Sequence, residues 1–119
     1  MATKGIRGAI TVEANTKEAL EEATLDLLSE MFEENGLKGT SKISHVIFTT
    51  TKDLDAAFPA MFPRLAFGWD EVAMMCFHEL DVPNSLKMCL RVLLVVNCDD
   101  DFKPKFVYLK GAKDLRKQN

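Results

Sequence analysis

Lys87-Met88-Cys89-Leu90-Arg91-Val92-Leu93-Leu94-Val95-Val96-Asn97-Cys98 is apolar at almost every interior position, so it does not alternate as a half-buried strand would. A run of this length, rich in β-branched residues and apolar on both faces, reads as a long strand at the centre of a sheet. Its one interior charge, Arg91, breaks the pattern. A guanidinium cannot shed its proton to escape burial, so it needs either a carboxylate partner or an anionic ligand. The residues alone leave both readings open.

Working outward, Asp81 to Ser85 is a loop and Glu71 to Leu80 a preceding strand. Asp99 to Pro104 is a surface connection, and Lys105 to Lys110 is a short last strand carrying the chain's only tyrosine, Tyr108. At the other end, Lys4 to Glu13 reads as a strand, with Ile6, Ile10 and Val12 apolar and glycines on either side of Arg7. Those glycines could let a backbone or ligand approach closely. Asn15 is placed to cap the following helix, with Glu18 completing a capping box. Leu20, Ala23, Leu27, Leu28, Met31 and Phe32 recur at helical spacing, with acids opposite them, until Asn35-Gly36 supplies a left-handed stop. Ser44 to Thr51 is a second strand. Asp53 to Gly68 is a short helix whose first turn is irregular, because Pro59 and Pro63 cannot both sit inside regular helix. The β-α-β-α-β order predicts an α/β (α+β) domain: a mixed five-stranded sheet with helices on one face.

The chain of 119 residues fits a single domain spanning 1–119. A domain of this size buries only roughly 65% of its unfolded surface, so a deeply enclosed site could borrow walls from a neighbouring subunit. Hydrophobic residues make up 47% and the net charge is −3, which excludes a disordered chain and argues against a nucleic-acid partner. No apolar stretch is long enough to span a bilayer, and no signal peptide is recognisable, so the expected location is cytoplasmic. Cys76, Cys89 and Cys98 form no C-x-x-C pair and fit a reducing compartment. The basic run from Lys110 to Lys117 reads as a solvated tail, mobile from about residue 111.

Cys76, His78 and Glu79 invite a metal or thiol-catalysis reading, but the other histidine, His45, lies on a different strand. There is neither a phosphate-binding glycine loop nor a recognisable nucleophile–base pair. No metal and no cofactor are therefore expected. Met74-Met75 reads as core packing and Trp69 as a packing anchor. If the chain is an enzyme, it works by binding and electrostatics.

Taken in order, Gly5-Ile6-Arg7-Gly8-Ala9, Asp53-Leu54-Asp55-Ala56-Ala57-Phe58-Pro59-Ala60 with Arg64 and Gly68-Trp69, Cys76-Phe77-His78-Glu79, Cys89-Leu90-Arg91, Val107-Tyr108-Leu109 and Leu115-Arg116 resemble the motifs of the trimeric α/β-type chorismate mutases. The resemblance covers nearly the whole chain. It implies a homotrimer packed like a barrel, with active sites at the subunit interfaces, that rearranges chorismate to prephenate without a cofactor. It also implies site roles. Arg91 would stabilise charge on the ether oxygen, and Arg7 and Tyr108 would bind the side-chain carboxylate. Glu79 and Cys76 would meet the ring hydroxyl, Phe58 and Ala60 would contact the ring, and Arg64 would stand at the mouth. Met75 would line the pocket and Leu115 would help close it. Met61 stands where the family often has a basic residue. Because strands alternate, Cys76 and Glu79 need a bulge or strand end between them. Two other readings stay open: an imine or enamine deaminase of a related trimeric fold, and a non-catalytic trimer that binds metabolites.

Overall fold

A computed structural model describes residues 1–115. Its elements are β1 (Ala2–Thr11), α1 (Lys17–Glu34), β2 (Ile43–Thr50), α2 (Met61–Phe67), β3 (Ala73–His78), β4 (Cys89–Cys98), β5 (Val107–Leu109) and a 3-10 turn at Lys110–Ala112. The strands form one five-stranded sheet in the order β3-β2-β4-β1-β5, which puts the Arg91 strand at its centre. β4 runs antiparallel to β1 and β2, while β5 joins β1 and β3 joins β2 in parallel, so the sheet is mixed as expected.

Both α-helices lie on one face. There Leu90, Val92, Leu94 and Val96 of β4 meet Leu20, Leu27, Leu28 and Met31 of α1 and Phe62 of α2 in a continuous core. The opposite face of the sheet is only partly covered: Leu93 of β4 is 37% exposed, and Met75 of β3, two strands away, is 60% exposed. Apolar character on both faces of β4 therefore correctly marks a central strand, yet this chain covers only one of them fully.

The start of α1 corrects the sequence reading. Thr16, not Asn15, is the cap, and its hydroxyl accepts from the Ala19 amide at 3.1 Å. Asn15 is occupied elsewhere: its Oδ1 accepts from the amides of Asp55 and Ala56, and its Nδ2 donates to Asp55 at 2.7 Å. With the cap one residue later, the third helical position is Ala19, so Glu18 cannot complete a capping box. At the other end Gly36 takes the left-handed conformation, φ 63°. Asn35 there ties the helix to the approach to β5, bonding both the N–H and the carbonyl of Lys105.

Gly8 also departs from expectation. It points toward α1, where an added Cβ would lie 2.4 Å from Met31 Sδ and 3.2 Å from Leu27 Cδ1. Its missing side chain lets the helix close onto the sheet; it does not make room for a ligand beside Arg7.

The helix expected over Asp53 to Gly68 is regular only from Met61 to Phe67. Pro59 precedes it, and Pro63 falls in its first turn, where a backbone N–H has no intrahelical acceptor to lose. The Met74-Met75 pair divides: Met74 packs against the core while Met75 faces outward. Trp69 is 3% exposed and stacks on Phe32 with ring centroids 5.5 Å apart.

A second, smaller cluster sits on the other face, where Ala112 and Leu115 cover Ala9 and Cys89. The segment read as a tail from about residue 111 is thus packed as far as Leu115, and the Gly111 amide donates to Thr11 Oγ1 at 2.9 Å. Arg116 and the rest of the expected tail lie outside the described residues.

Candidate active site

The register of the sheet builds the site. On the face away from the helices, Tyr108, Ala9, Arg91, Thr49 and Phe77 stand side by side across all five strands. The methyl of Ala9 leaves space between the phenol and the guanidinium that flank it. Two residues along β1, Arg7 pairs with Leu93, which pairs with Ile47 and that in turn with Met75. Alternation along the strands thus sends Arg7, Arg91 and Tyr108 to one face.

Glu79 arrives differently. β3 ends at His78, and the Glu79 amide donates to the Thr50 carbonyl at 2.9 Å just beyond it. Phe77 already faces this side, so alternation carries Glu79 to the Arg91 face while Cys76, paired with Phe48, stays on the helix side; the strand end expected to bring the two together does not do so within this chain. Glu79 Oε2 accepts a short hydrogen bond from the Thr49 hydroxyl and lies 3.7 Å from Arg91 Nε. The two side chains of that ion pair are only 23% and 28% exposed.

Two polar atoms here are buried without a hydrogen-bond partner among the described residues, Arg91 Nε and the Tyr108 hydroxyl. Leaving a buried donor unsatisfied costs about 1–3 kcal/mol. Both line the same cleft of about 350 Å³, together with Arg7, Glu79, Thr49 and Leu115. Donors held unsatisfied beside a second arginine describe a receptor for an anion with several oxygens.

The other expected site residues lie elsewhere on the chain. Phe58, Ala60, Arg64, Met75 and Cys76 line a separate cleft of about 410 Å³ between α2 and the β3 edge, with Met61 among them. The two clefts share no lining residue. Phe58 is 75% exposed although aromatic. Burial pushes the Cys76 thiol up from its ordinary pKa, and a hydrogen bond with the Ala60 backbone offsets part of that. Cys76 is therefore a neutral thiol at physiological pH. Burial likewise raises Cys89, beneath the Leu115 segment, against the lowering effect of the Arg91 guanidinium beside it.

His78 is a structural residue, its Nδ1 lying 3.1 Å from the Thr50 hydroxyl and 3.2 Å from the Thr50 carbonyl. Among the described residues no group of three or more His, Cys, Asp and Glu side chains is placed to hold a metal. Sequence reading passed over Thr49. Its position in a β-branched run carries no signal, and only the strand register brings it between Arg91 and Phe77.

Comparison with known proteins gives the chain's family. Residues 3–119 match the family described as chorismate mutase type I. The chain is 44% identical over 114 residues to chorismate mutase AroH of Thermus thermophilus, covering 95% of this chain and 93% of that one. It is 38% identical over 117 residues to chorismate mutase AroH of Bacillus subtilis (strain 168), covering 98% and 91%. The solved structure of a chorismate mutase from Clostridium thermocellum superposes with a TM-score of 0.87 at 52% identity, covering 92% of this chain and 97% of that one. With its arginine-lined cleft, its sheet order and matches over almost its whole length, this chain belongs to the type I chorismate mutase family.

Proposed function

We propose that the protein is a chorismate mutase, an isomerase converting chorismate to prephenate on the route to phenylalanine and tyrosine, and that it works as a homotrimer with its active sites between subunits. The observation that carries the reading is the pair of unsatisfied donors, Arg91 Nε and the Tyr108 hydroxyl, buried beside Arg7 in one cleft. The deaminase and binding-module readings are not favoured beside membership of this family.

The reaction is a unimolecular Claisen rearrangement, in which the ether carbon–oxygen bond breaks as a new carbon–carbon bond forms. No proton changes hands, so the residues act by position and charge. Arg7 and Tyr108 bind the side-chain carboxylate, with Arg91 sharing it, and hold the enolpyruvyl arm over the ring. Fixing that compact conformer removes much of the entropic part of the barrier. Arg91 stands by the ether oxygen, where its unused donor meets negative charge that grows only as the bond stretches. A donor of this kind is worth ~3 kcal/mol in the transition state. Glu79 accepts from the ring hydroxyl.

The division of the expected residues between two clefts supports sites shared by subunits. A neighbour would bring Phe58 and Ala60 to the ring, the neutral Cys76 thiol to the hydroxyl, and Arg64 to the mouth to draw in the dianion. Met75 would line that wall, and Met61 offers the substrate no charge there. Leu115 would help close the cleft from the Arg91 side. The incompletely covered face of β4 gives a second subunit apolar surface to bury. Among the described residues no helix is long and apolar enough to cross a membrane. A cytoplasmic location follows from the biosynthetic role.

The test is the loss of chorismate absorbance with purified protein, with prephenate identified as product and mass measured in solution. Rapid loss from a trimer is expected. A folded trimer that leaves chorismate unchanged would overturn the reading.

A further inference from the structure

Thr49 hydrogen-bonds the one carboxylate among the described residues of the cleft, yet it carries no charge and no role in the mechanism above. The Thr49 hydroxyl and Arg91 Nε both address Glu79 Oε2, the first by hydrogen bond and the second at 3.7 Å. That distance is beyond hydrogen bonding but within reach of a small side-chain movement. A free carboxylate beside a guanidinium tends to close into a two-point pair that uses two of the guanidinium's donors. Such closure would fill the donor that Arg91 otherwise keeps unsatisfied.

We propose that Thr49 is a positioning residue that holds Glu79 away from Arg91, so that Arg91 Nε stays available to the reacting ether oxygen and Glu79 Oε1 to a substrate hydroxyl. Thr49 is well placed for this. It pairs in register with Arg91 across β2 and β4, so its hydroxyl is fixed relative to the guanidinium by the sheet ladder. The Glu79 backbone is anchored on the next residue, Thr50. Threonine's restricted side-chain torsion keeps the hydroxyl aimed. The proposal rests on the chorismate mutase reading and adds to it a residue that need not touch the substrate.

The experiment compares kcat and KM for chorismate in wild type, Thr49→Val, Thr49→Ala, Thr49→Ser, Glu79→Ala and the Thr49→Val/Glu79→Ala double variant, with thermal unfolding of each. Thr49→Val and Thr49→Ala are expected to lower kcat about tenfold, the scale of one misplaced charge-assisted hydrogen bond, with KM moving far less. Thr49→Ser keeps the hydroxyl and should stay near wild type. In the Glu79→Ala background the loss from Thr49→Val should vanish, because there is no carboxylate left to hold. Thr49→Ala covers the case in which the valine variant does not fold. An active wild type with unchanged kcat in Thr49→Val or Thr49→Ala would overturn the positioning role. So would the same fold loss in the Glu79→Ala background, since that would mark a structural effect. An inactive wild type would instead overturn the functional reading.

Discussion

Arg91 Nε and Glu79 Oε2 stand 3.7 Å apart, near enough to form an ion pair and too far to form a hydrogen bond. A chain built for stability alone would close that gap, because a partly buried guanidinium gains most from a direct two-point contact. The gap marks a cation held for something else.

The first consequence concerns Arg91→Ala. It should cut kcat by about 10²–10³ or more, since it removes charge stabilisation realised only in the transition state. The fold and the oligomer should survive, because Arg91 points into a cleft and not into the core. Stopped assays with prephenate quantified, beside circular dichroism and solution mass, measure both. Near-normal turnover would sink the assignment.

Complementation reads the division of the site between clefts directly. Arg91→Ala damages one cleft and Phe58→Asp the other, and Phe58 is exposed enough for the change to leave folding intact. Each variant alone should be nearly inactive. Co-expressed and randomly mixed as trimers, they should recover on the order of a quarter of the wild-type rate, because a cyclic assembly joins intact halves in that fraction of interfaces. No recovery, with mixed trimers shown by mass, would place the whole site within one subunit.

Gly8→Ala tests how α1 meets the sheet. The new methyl would stand 2.4 Å from Met31 Sδ, and Met31 is fully buried, so its side chain would have to repack within the core or the helix shift. Either adjustment should cost about 1–3 kcal/mol of stability. Denaturant titration would show this as a lower midpoint. A midpoint equal to wild type would mean that the core yields more readily than its packing implies.

The thiols give the protein a pH signature. Burial raises Cys76 and Cys89 above the ordinary thiol value of 9.0. In each case the folded state holds its proton longer than the unfolded chain does. The stabilisation is therefore fully present below the unfolded value and is lost as pH rises from there through the folded value. Stability should decline above about pH 9, the reference thiol range, and Cys89→Ala should flatten that decline. An unchanged slope in the variant would remove the thiol from the account. Cys76→Ser should cost far less activity than Arg91→Ala, since no covalent step uses the sulfur.

Much of this architecture is legible in the residue order alone. The two-faced apolar run placed β4 at the centre of the sheet, and helical spacing found α1, because burial periodicity is written in residue types. Arg91 announced itself as a charge where apolar residues belonged. The local errors came where a side chain had a choice of partners. Asn15 and Thr16 are both competent caps, and only the folded loop at Asp55 decides between them. Gly8 beside Arg7 suggests room for a ligand, yet strand alternation turns it to the other face. Thr49 escaped because its neighbour across the ladder lies far along the chain, and no local pattern records that register.

The pairing of β1 with β4 has a meaning for synthesis as well as for shape. Ala2 meets Cys98, and the ladder continues to Thr11 against Cys89, so the middle of the sheet joins the earliest strand to one of the last. β2 likewise waits for β4. On the ribosome the leading strand and α1 emerge with the central slot of the sheet still missing, and their apolar edges stay exposed until β4 arrives. Such long-range closure makes folding slow and late. Arg7 and Arg91 then meet in the same event that completes the sheet, so nascent chains stalled short of β4 would be unable to bind substrate and would be candidates for chaperone capture.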